Sequence, residues 1–466
     1  MTRPPLSLVA GWILSTGVGG PAGGVPALGQ AAAPGTRAAA TTAPPAVVRT
    51  LLERRDVPGA PALESRVYLM TFPPGAASPP HVHTSQATGY VLEGAFQSSF
   101  DGQPPTIKRT GDAFVDLPGQ IHHFKNASPD RPLRFVLSGT FAKGAPIFRS
   151  PDAVVRFAAS ARAVPIHKPA LYPETVDYDT VHGTFVVGSF RSGAIYRVDG
   201  DGHATPFAGD QAAGSTLGIA VDAPHGRLWA VSADVGAGIR PSAAGLQRSA
   251  DVTAYDLSTG TAVLRVDVSG LARGPHLLNG IAVDAAGNAY VTDSLSAVIY
   301  RVSADGKPTV FAQDQRFAGA GVGLNGLVVH PHGFLLVVKK SDGALFKVPL
   351  GDPRQVSRVQ VDGTFVGGDG VTLAGARDLV IVANATPAVT TNAAFAVATD
   401  DDWATAHIYD VRPLDDDYPT TAVVRGGTLF VLSSRLDALL HAAAAGRGVA
   451  EHGAEATLRA IGSIAP

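Results

Sequence analysis

The sequence predicts an all-β chain of two domains, the second of which is a six-bladed β-propeller. Its 53 glycines and 35 prolines separate short apolar runs, a pattern typical of many strands joined by turns. From about residue 169 onward one unit repeats six times, whereas residues 46–148 contain strand-like runs without that period. A chain of 466 residues is also too long for a single hydrophobic core.

The composition excludes several classes of function. Hydrophobic residues make up 45% and charged residues 16% of the chain, as in globular proteins. The net charge is −2 and no basic run is present, so nothing supports binding to nucleic acid or to an anionic membrane. The absence of cysteine excludes disulfides, thiolate metal sites and cysteine nucleophiles. Any metal ligands must come from His, Asn, Asp or Glu.

Residues 1–31 are predicted to be a signal peptide. Arg3 precedes an apolar stretch from Leu6 to Gly20, and small residues suited to cleavage follow at Ala27 to Ala31. A retained membrane anchor is the alternative, but the stretch is shorter than the roughly 20 residues that a span requires. Residues 32–45 are predicted to form a flexible leader. The protein is thus expected to be secreted or periplasmic, with no membrane span after processing.

The first domain, residues 46–148, carries two histidine-containing motifs. The first is His81-Val-His83 followed by Tyr90-Val-Leu-Glu-Gly94, and the second runs from Gly111-Asp112 through Leu117-Pro118-Gly119 to His122. Together these motifs resemble those of the cupin family over about 100 residues. The resemblance implies a jelly-roll barrel.

Strand geometry suggests that the histidines of this domain converge. Residues two apart on a strand point to the same side, so His81 and His83 are expected to face the barrel interior, with His122 joining them from a neighbouring strand. Three imidazoles with open positions suit a transition metal such as Fe, Mn, Ni or Zn. The alternative is that they simply pack inside the barrel. His123 should point outward.

One position departs from the cupin pattern. In that family a glutamate usually follows the second histidine by four residues, and here Ala87 stands there with Gln86 beside it. The loss of an anionic ligand should weaken metal binding, and it argues against redox catalysis by this domain. The Gln86 carbonyl is a possible but poorer substitute.

Residues 149–168 are predicted to be a linker with one possible short helix at 152–161, and the propeller is predicted to span 169–466. Its repeats start at residues 174, 217, 279, 325, 369 and 419, which are 43, 62, 46, 44 and 50 residues apart. A period near 45 with three or four strands per copy indicates propeller blades. The long second interval predicts an insertion between Ala233 and Ala250. Strands from both chain ends must close the ring, and the segment from Ala456 to Ile464 and that near Val164 are candidates.

The first residue of each repeat is expected next to the central channel. These residues are Glu174, Leu217, Asn279, Asn325, Asp369 and Pro419. Four of the six carry oxygen in otherwise apolar surroundings, and buried carboxylates require a counter-ion. An all-oxygen set suits Ca²⁺, Mg²⁺ or Mn²⁺. The alternative is that Asn-Gly and Asp-Gly here are turn formers.

The motifs Pro173-Glu174, Leu278-Asn279-Gly280, Leu324-Asn325-Gly326 and Gly368-Asp369-Gly370 resemble those of the SMP-30/gluconolactonase/luciferin-regenerating-enzyme family. The resemblance covers about 290 residues. It implies that Glu174, Asn279, Asn325 and Asp369 hold one divalent cation, with Ca²⁺ favoured and Zn²⁺ or Mn²⁺ as alternatives. It also implies that Asp369 is catalytic, as a general base beside the metal.

The leading functional hypothesis is a metal-dependent hydrolase of lactones or esters, with the cupin as an accessory metal or ligand module. One alternative is a non-catalytic secreted protein that binds a ligand or partner. Another places a metal dioxygenase or isomerase in the cupin. The expected partner is a small molecule derived from a lactone, ester or sugar, and the cupin is a candidate surface for a homodimer.

Overall fold

The computed structural model describes residues 47–158, 162–209, 214–239, 244–414, 418–445 and 455–465. The predicted signal peptide and leader lie outside these ranges. The described chain is built almost entirely from β-strands, as predicted from the glycines and prolines that separate its short apolar runs. The described residues fall into two compact units. The first contains the chain up to Pro58 together with Glu64–Phe141, and the second contains Gly59–Leu63 and the chain from Ala142 onward.

The first unit contains two antiparallel sheets. One has the strand order β1-β2-β9-β4-β7, and the other contains β3-β8-β5-β6 in that order. The strands are β1 (Val48–Val57), β2 (Ala60–Phe72), β3 (Ala77–His83), β4 (Ala87–Glu93), β5 (Ala95–Phe100), β6 (Thr106–Arg109), β7 (Ala113–Asp116), β8 (Ile121–Asn126) and β9 (Leu133–Ala142).

Alternating burial along these strands forms the barrel core. In β8 every second residue is buried, as expected for a strand with one face turned inward. The inward side chains include an aromatic cluster in which ring centroids lie 4.6 to 6.0 Å apart, formed by Phe72, Phe96, Phe124 and Phe135. The arrangement of the two sheets is that of the predicted jelly-roll.

The segment predicted as a linker contains strands rather than a helix. Its elements are β10 (Phe148–Arg149), β11 (Val155–Phe157) and β12 (Ala163–Pro165). Both β11 and β12 pair with the last strand of the chain. The predicted short helix at 152–161 is therefore wrong across residues 152–158, because the backbone here finds its hydrogen-bond partners in a distant strand. Residues 159–161 lie outside the described ranges.

The second unit contains six β-sheets within its described residues, one per predicted blade. The strands are β13 (Pro173–Asp179), β14 (Thr184–Ser189), β15 (Ile195–Val198), β16 (Ala204–Ala208), β17 (Ser215–Asp222), β18 (Arg227–Ala233), β19 (Asp251–Asp256), β20 (Ala262–Asp267), β21 (Leu278–Val283), β22 (Ala289–Asp293), β23 (Val298–Val302), β24 (Pro308–Gln313), β25 (Leu324–His330), β26 (Phe334–Lys339), β27 (Leu345–Pro349), β28 (Ser357–Arg358), β29 (Gln360–Val361), β30 (Gly368–Leu373), β31 (Asp378–Ala383), β32 (Ala393–Ala398), β33 (Thr405–Pro413), β34 (Pro419–Arg425), β35 (Thr428–Ser433) and β36 (Thr457–Ile464).

Four consecutive antiparallel strands form each of the first four blades, and the fifth contains β30 to β33 with β29 added at its outer edge. The innermost strands β13, β17, β21, β25, β30 and β34 each contact the next, and β34 contacts β13, which closes the ring. In the sixth blade β36 pairs with β35 on one side and with β11 and β12 on the other. The predicted closure by the two segments is thus confirmed.

Helical structure is sparse within the ranges given above. One α-helix, α1 (Leu436–Ala444), follows β35, and 3-10 turns lie at Ala223–His225, Ser269–Leu271 and Gln315–Phe317. The insertion predicted in the second blade does fall between β18 and β19. Among the described residues, no helix has the length and apolar character that crossing a membrane requires.

Candidate functional sites

All six innermost propeller strands share an irregularity next to their first residues. Where each pairs with the second strand of its blade, one or two residues are skipped in the ladder. Such a β-bulge re-aims the side chains that it contains. The first skipped residues are Glu174, Leu217, Asn279, Asn325, Asp369 and Thr420.

The glycines of the Asn-Gly and Asp-Gly pairs serve close strand packing rather than turns. A Cβ added to Gly280 would lie 2.6 Å from the carbonyl oxygen of Asn325, and one added to Gly326 would lie 2.2 Å from that of Asp369. Neither glycine has a positive φ. Since adjacent inner strands approach this closely at the bulge, only glycine fits there. The turn-forming interpretation of these pairs is therefore wrong.

The bulge residues line one cavity of about 390 Å³ at the centre of the propeller. The structure brings together all four predicted oxygen ligands there, Glu174, Asn279, Asn325 and Asp369, and each is at most 9% exposed. Residues further along the same six strands form the rest of the wall, and these include apolar side chains together with Thr175, Asp177, Tyr178 and Thr372. The cavity wall is thus mixed, with polar side chains outside the bulge positions as well.

The six first skipped residues form a ring around the cavity, called the oxygen ring below. Its sixth member is Thr420, not Pro419. Pro419 still pairs in regular register with Ser433, and the skipped residues follow it. The repeat alignment is off by one residue here, because a bulge shifts side-chain direction without changing repeat length. Thr420 therefore adds a fifth oxygen, while Leu217 leaves one apolar position in the ring.

Several of these oxygens lack protein partners. Glu174 Oε2 and Thr420 Oγ1 are buried without a hydrogen-bond partner in the described chain. Asn279 donates its amide hydrogen to Ser294 Oγ at 3.2 Å, so its carbonyl oxygen is available to a ligand. Buried polar atoms are normally paired, so these oxygens indicate that the cavity takes a bound group.

A lysine stands beside this ring. Lys340 Nζ donates a hydrogen bond to Asp369 Oδ2 at 2.9 Å and also contacts Asn384 Oδ1, while Asn384 donates to the same Asp369 oxygen. All three side chains are buried. Asn384 was not among the predicted site residues. It directly follows β31, the second strand of the fifth blade, and this position was the available signal.

The electrostatics of the ring follow from its burial. Burial raises the pKa of Glu174 well above its usual value, and the Asp369 carboxylate raises it further, although Lys340 opposes this. Burial alone lowers the pKa of Lys340, but Asp369, Tyr418 and Glu174 outweigh it, so its pKa lies above the ordinary value. The centre therefore contains a firmly charged ammonium between two acidic groups.

The predicted cupin histidines also meet. One ring nitrogen from each of His81, His83 and His122 lies within 4.8 Å of the others, and the three ring centroids are 5.0 to 5.1 Å apart. All three are at most 6% exposed. As predicted, His123 points outward, where its ring bonds to Asp101 at 2.8 Å.

Hydrogen bonds orient these rings. His81 Nδ1 lies 2.8 Å from the Pro79 carbonyl, and Ser98 Oγ lies 2.7 Å from His122 Nε2. His122 Nδ1 then faces His83 Nε2 at 3.0 Å. Burial lowers the pKa of His83 to about 3 and that of His122 to about 4, so the rings are neutral, as metal ligands must be.

A carboxylate that the sequence analysis missed lies beside them. Asp116 Oδ2 is 3.6 Å from His83 Nε2, and burial raises the pKa of Asp116 to about 7. Gln86, considered as a substitute ligand, is exposed and does not take that role. The alternation Ala-Phe-Val-Asp in β7, with Phe114 and Asp116 buried, was the signal that could have revealed Asp116.

Comparison with known proteins agrees with this architecture. Residues 68–139 match the cupin domain family. The chain is similar to the crystal structure of the major Malassezia sympodialis allergen Mala s 1, with 19% identity, a TM-score of 0.53 and coverage of 65% of this chain and 96% of the allergen. It is also similar to a gluconolactonase from Xanthomonas campestris, with 16% identity, a TM-score of 0.43 and coverage of 67% and 96%. No curated protein matches the sequence.

At these identities the structural likeness concerns the fold. The predicted fold is confirmed, with a cupin barrel in the first unit and a six-bladed propeller in the second.

Proposed function

We propose that this protein hydrolyses lactones or related esters in the central cavity of its propeller, with a divalent cation held by Glu174, Asn279, Asn325 and Asp369. The observation that carries the proposal is the convergence of these oxygens from four blades at one end of a cavity of about 390 Å³. That volume falls in the range of small-molecule sites. The cupin is proposed to be an accessory metal or ligand module.

The donor set fits a hard divalent cation. Glu174 Oε2 is a buried carboxylate oxygen without a partner, which is a costly arrangement unless a cation is bound. Asn279 donates its amide hydrogen to Ser294, which leaves its carbonyl oxygen for a cation. Thr420 adds a hydroxyl oxygen without a hydrogen-bond partner among the described residues. Lys340 and Asn384 both donate hydrogen bonds to Oδ2 of Asp369, so Oδ1 is the oxygen proposed to bind the cation. All the available donors are oxygen, which favours Ca²⁺, Mg²⁺ or Mn²⁺.

When bound, such a cation supplies Lewis-acid polarisation of a carbonyl and a lowered pKa for water. The protein supplies the remainder. Asp369 accepts the proton of the attacking water as general base and returns it to the alkoxide that is released when the acyl C–O bond breaks. Lys340 and Asn384 hold its Oδ2 so that its other oxygen is oriented. The asparagine amides position substrate oxygens, and apolar side chains of the wall such as Ile219, Ile281 and Leu327 exclude water from the apolar part of the substrate.

Lys340 changes the charge balance of this centre. Two carboxylates and a divalent cation would be neutral, and the ammonium adds one positive charge. A positive, preorganised centre favours the oxyanion that develops during ester hydrolysis. It also favours substrates that carry a carboxylate or other anionic group.

The test is an assay of the mature protein against a panel of γ- and δ-lactones and aryl esters. Protein stripped with EDTA should lose turnover and regain it with Ca²⁺, Mn²⁺ or Zn²⁺. Turnover that is unaffected by chelation would contradict the metal role, and absence of turnover with every metal would contradict the hydrolase assignment.

A second candidate is a non-catalytic ligand-binding protein. The observation that favours it is the Lys340–Asp369 pair, because an internal ammonium partly replaces the counter-ion that a catalytic metal would provide. Calorimetric titration with the same lactones and with their hydroxy-acid products separates the two. Binding of a lactone that is recovered intact after prolonged incubation with each metal would favour this candidate.

A further inference from the structure

The barrel of the first unit contains a buried carboxylate that was not among the predicted metal ligands. Asp116 is the last residue of β7 and is 6% exposed. Its only described side-chain partner is His83, whose Nε2 lies 3.6 Å from Asp116 Oδ2. No lysine or arginine pairs with Asp116 in the described chain. A buried carboxylate without a cationic side-chain partner favours a bound cation.

The strand register explains why this carboxylate lies here. In the ladder between β4 and β7, Asp116 is directly opposite Ala87. Residues opposite each other in an antiparallel pair project from the same face of the sheet. Ala87 is the position at which a glutamate is expected, and its buried methyl group leaves room for a longer side chain from the neighbouring strand.

The nitrogens around this point are arranged for a shared ligand. His81 Nδ1 is tied to the Pro79 carbonyl, which leaves Nε2 as its ligating atom. His83 Nε2 and His122 Nδ1 face each other at 3.0 Å, and Asp116 Oδ2 approaches the same His83 nitrogen. Three imidazole nitrogens and one carboxylate oxygen form a donor set for a divalent transition metal.

We propose that Asp116 replaces the missing glutamate as the anionic fourth ligand of a transition-metal site completed by His81, His83 and His122. The carboxylate is supplied from the strand opposite Ala87 instead of from Ala87 itself. The site thereby keeps its negative ligand, and its affinity for metal does not depend on Gln86.

The experiment uses the mature full chain, stripped of metal and titrated with Co²⁺, which is followed by calorimetry and by its visible absorption in a nitrogen-rich site. All variants are made in an Asp369→Asn background so that the oxygen ring of the propeller contributes little. Asp116→Asn and Asp116→Ala should each weaken Co²⁺ binding by roughly 10- to 100-fold or more and change the absorption spectrum.

Asp101→Asn is the matched control, because Asp101 is an exposed carboxylate of the same barrel that pairs with His123. It should leave affinity and spectrum unchanged. The double variant Ala87→Glu/Asp116→Ala restores a carboxylate to the opposite position and should recover most of the affinity. Circular dichroism establishes that each variant is folded.

Co²⁺ binding by Asp116→Asn with unchanged affinity and spectrum would overturn the proposal. An equal loss in Asp101→Asn would also overturn it, because the effect would then be one of overall charge. If the parent chain binds none of Co²⁺, Mn²⁺, Ni²⁺ and Zn²⁺, the barrel has no transition-metal site and the proposal is wrong.

Discussion

Lys340 Nζ lies 2.9 Å from Asp369 Oδ2, and both side chains are buried beside the oxygen ring of the propeller. The lysine follows the second strand of the fourth blade, while the aspartate belongs to the first strand of the fifth. The pair thus links two neighbouring blades. The ammonium of Lys340 therefore gives the oxygen ring a permanent positive charge, and the other carboxylate of that ring is Glu174.

Lys340→Met should make the propeller depend on divalent metal for stability. The substitution leaves Glu174 and Asp369 buried without their internal counter-ion, and loss of one partner of a buried pair costs about 3–5 kcal/mol. In EDTA the thermal midpoint of the propeller should fall, and Ca²⁺ should restore much of it. Differential scanning calorimetry measures both.

The control for this variant is Lys307→Met, since Lys307 is exposed and pairs with Asp305 at the surface. Such a pair contributes about 0–1 kcal/mol, and its loss should not depend on metal. A Lys340→Met midpoint that falls equally in EDTA and in Ca²⁺ would contradict the prediction that bound metal compensates for the lost ammonium.

Asp369→Asn should lower kcat/KM for a lactone substrate by about 10²- to 10⁴-fold, because the amide cannot accept the proton of water. Asp305→Asn, at an exposed position of the propeller, is the control and should retain activity. Steady-state kinetics measure both. Full activity of the Asp369→Asn variant would contradict the proposed role of Asp369 as general base.

The repeat allowed much of the propeller to be predicted, because each blade buries the same apolar pattern and therefore preserves it in the sequence. The four oxygen-bearing residues were located for the same reason. The error at Pro419 has a physical cause: the bulge after it makes Thr420 the residue that faces the cavity. Backbone irregularities of one residue do not alter the repeat.

Contacts between distant segments were harder to predict. Asp116 is 29 positions after Ala87, and only the β4–β7 register places them opposite each other. In the same way, Val155–Phe157 forms a strand because β36 supplies its hydrogen bonds. Neither relationship leaves a local periodic signal, since the partner lies elsewhere in the chain.

The stability of the propeller should decrease as the pH rises above about 6.5 because of His276. Its Nδ1 lies 2.7 Å from Asp293 Oδ2, with the Tyr300 hydroxyl 3.4 Å from both atoms. The hydrogen bond to Asp293 raises the pKa of His276, although burial opposes it and the more distant charge of Asp267 adds to the increase.

A raised histidine pKa means that the folded state binds the proton more tightly than the unfolded state. The resulting stabilisation is fully present below the unfolded pKa of about 6.5 and is lost as the pH rises through the folded value. Urea unfolding of the parent and of His276→Asn across pH 5.5–9 isolates this contribution. His203→Asn, at an exposed position, is the control. Parallel pH profiles for the parent and His276→Asn would contradict the prediction.

Leu458→Ala should lower the free energy of unfolding by about 2–5 kcal/mol, the usual cost of truncating a buried leucine. Leu458 is fully buried in β36 and pairs with Leu432 on one side and Val164 on the other, so it joins the first and last segments of the propeller. Denaturant unfolding, followed through the buried Trp229 and Trp403, measures the loss. Val263→Ala, at a residue 53% exposed, should change stability by less than about 0.5 kcal/mol. Equal effects of the two substitutions would mean that closure of the ring does not depend on this contact.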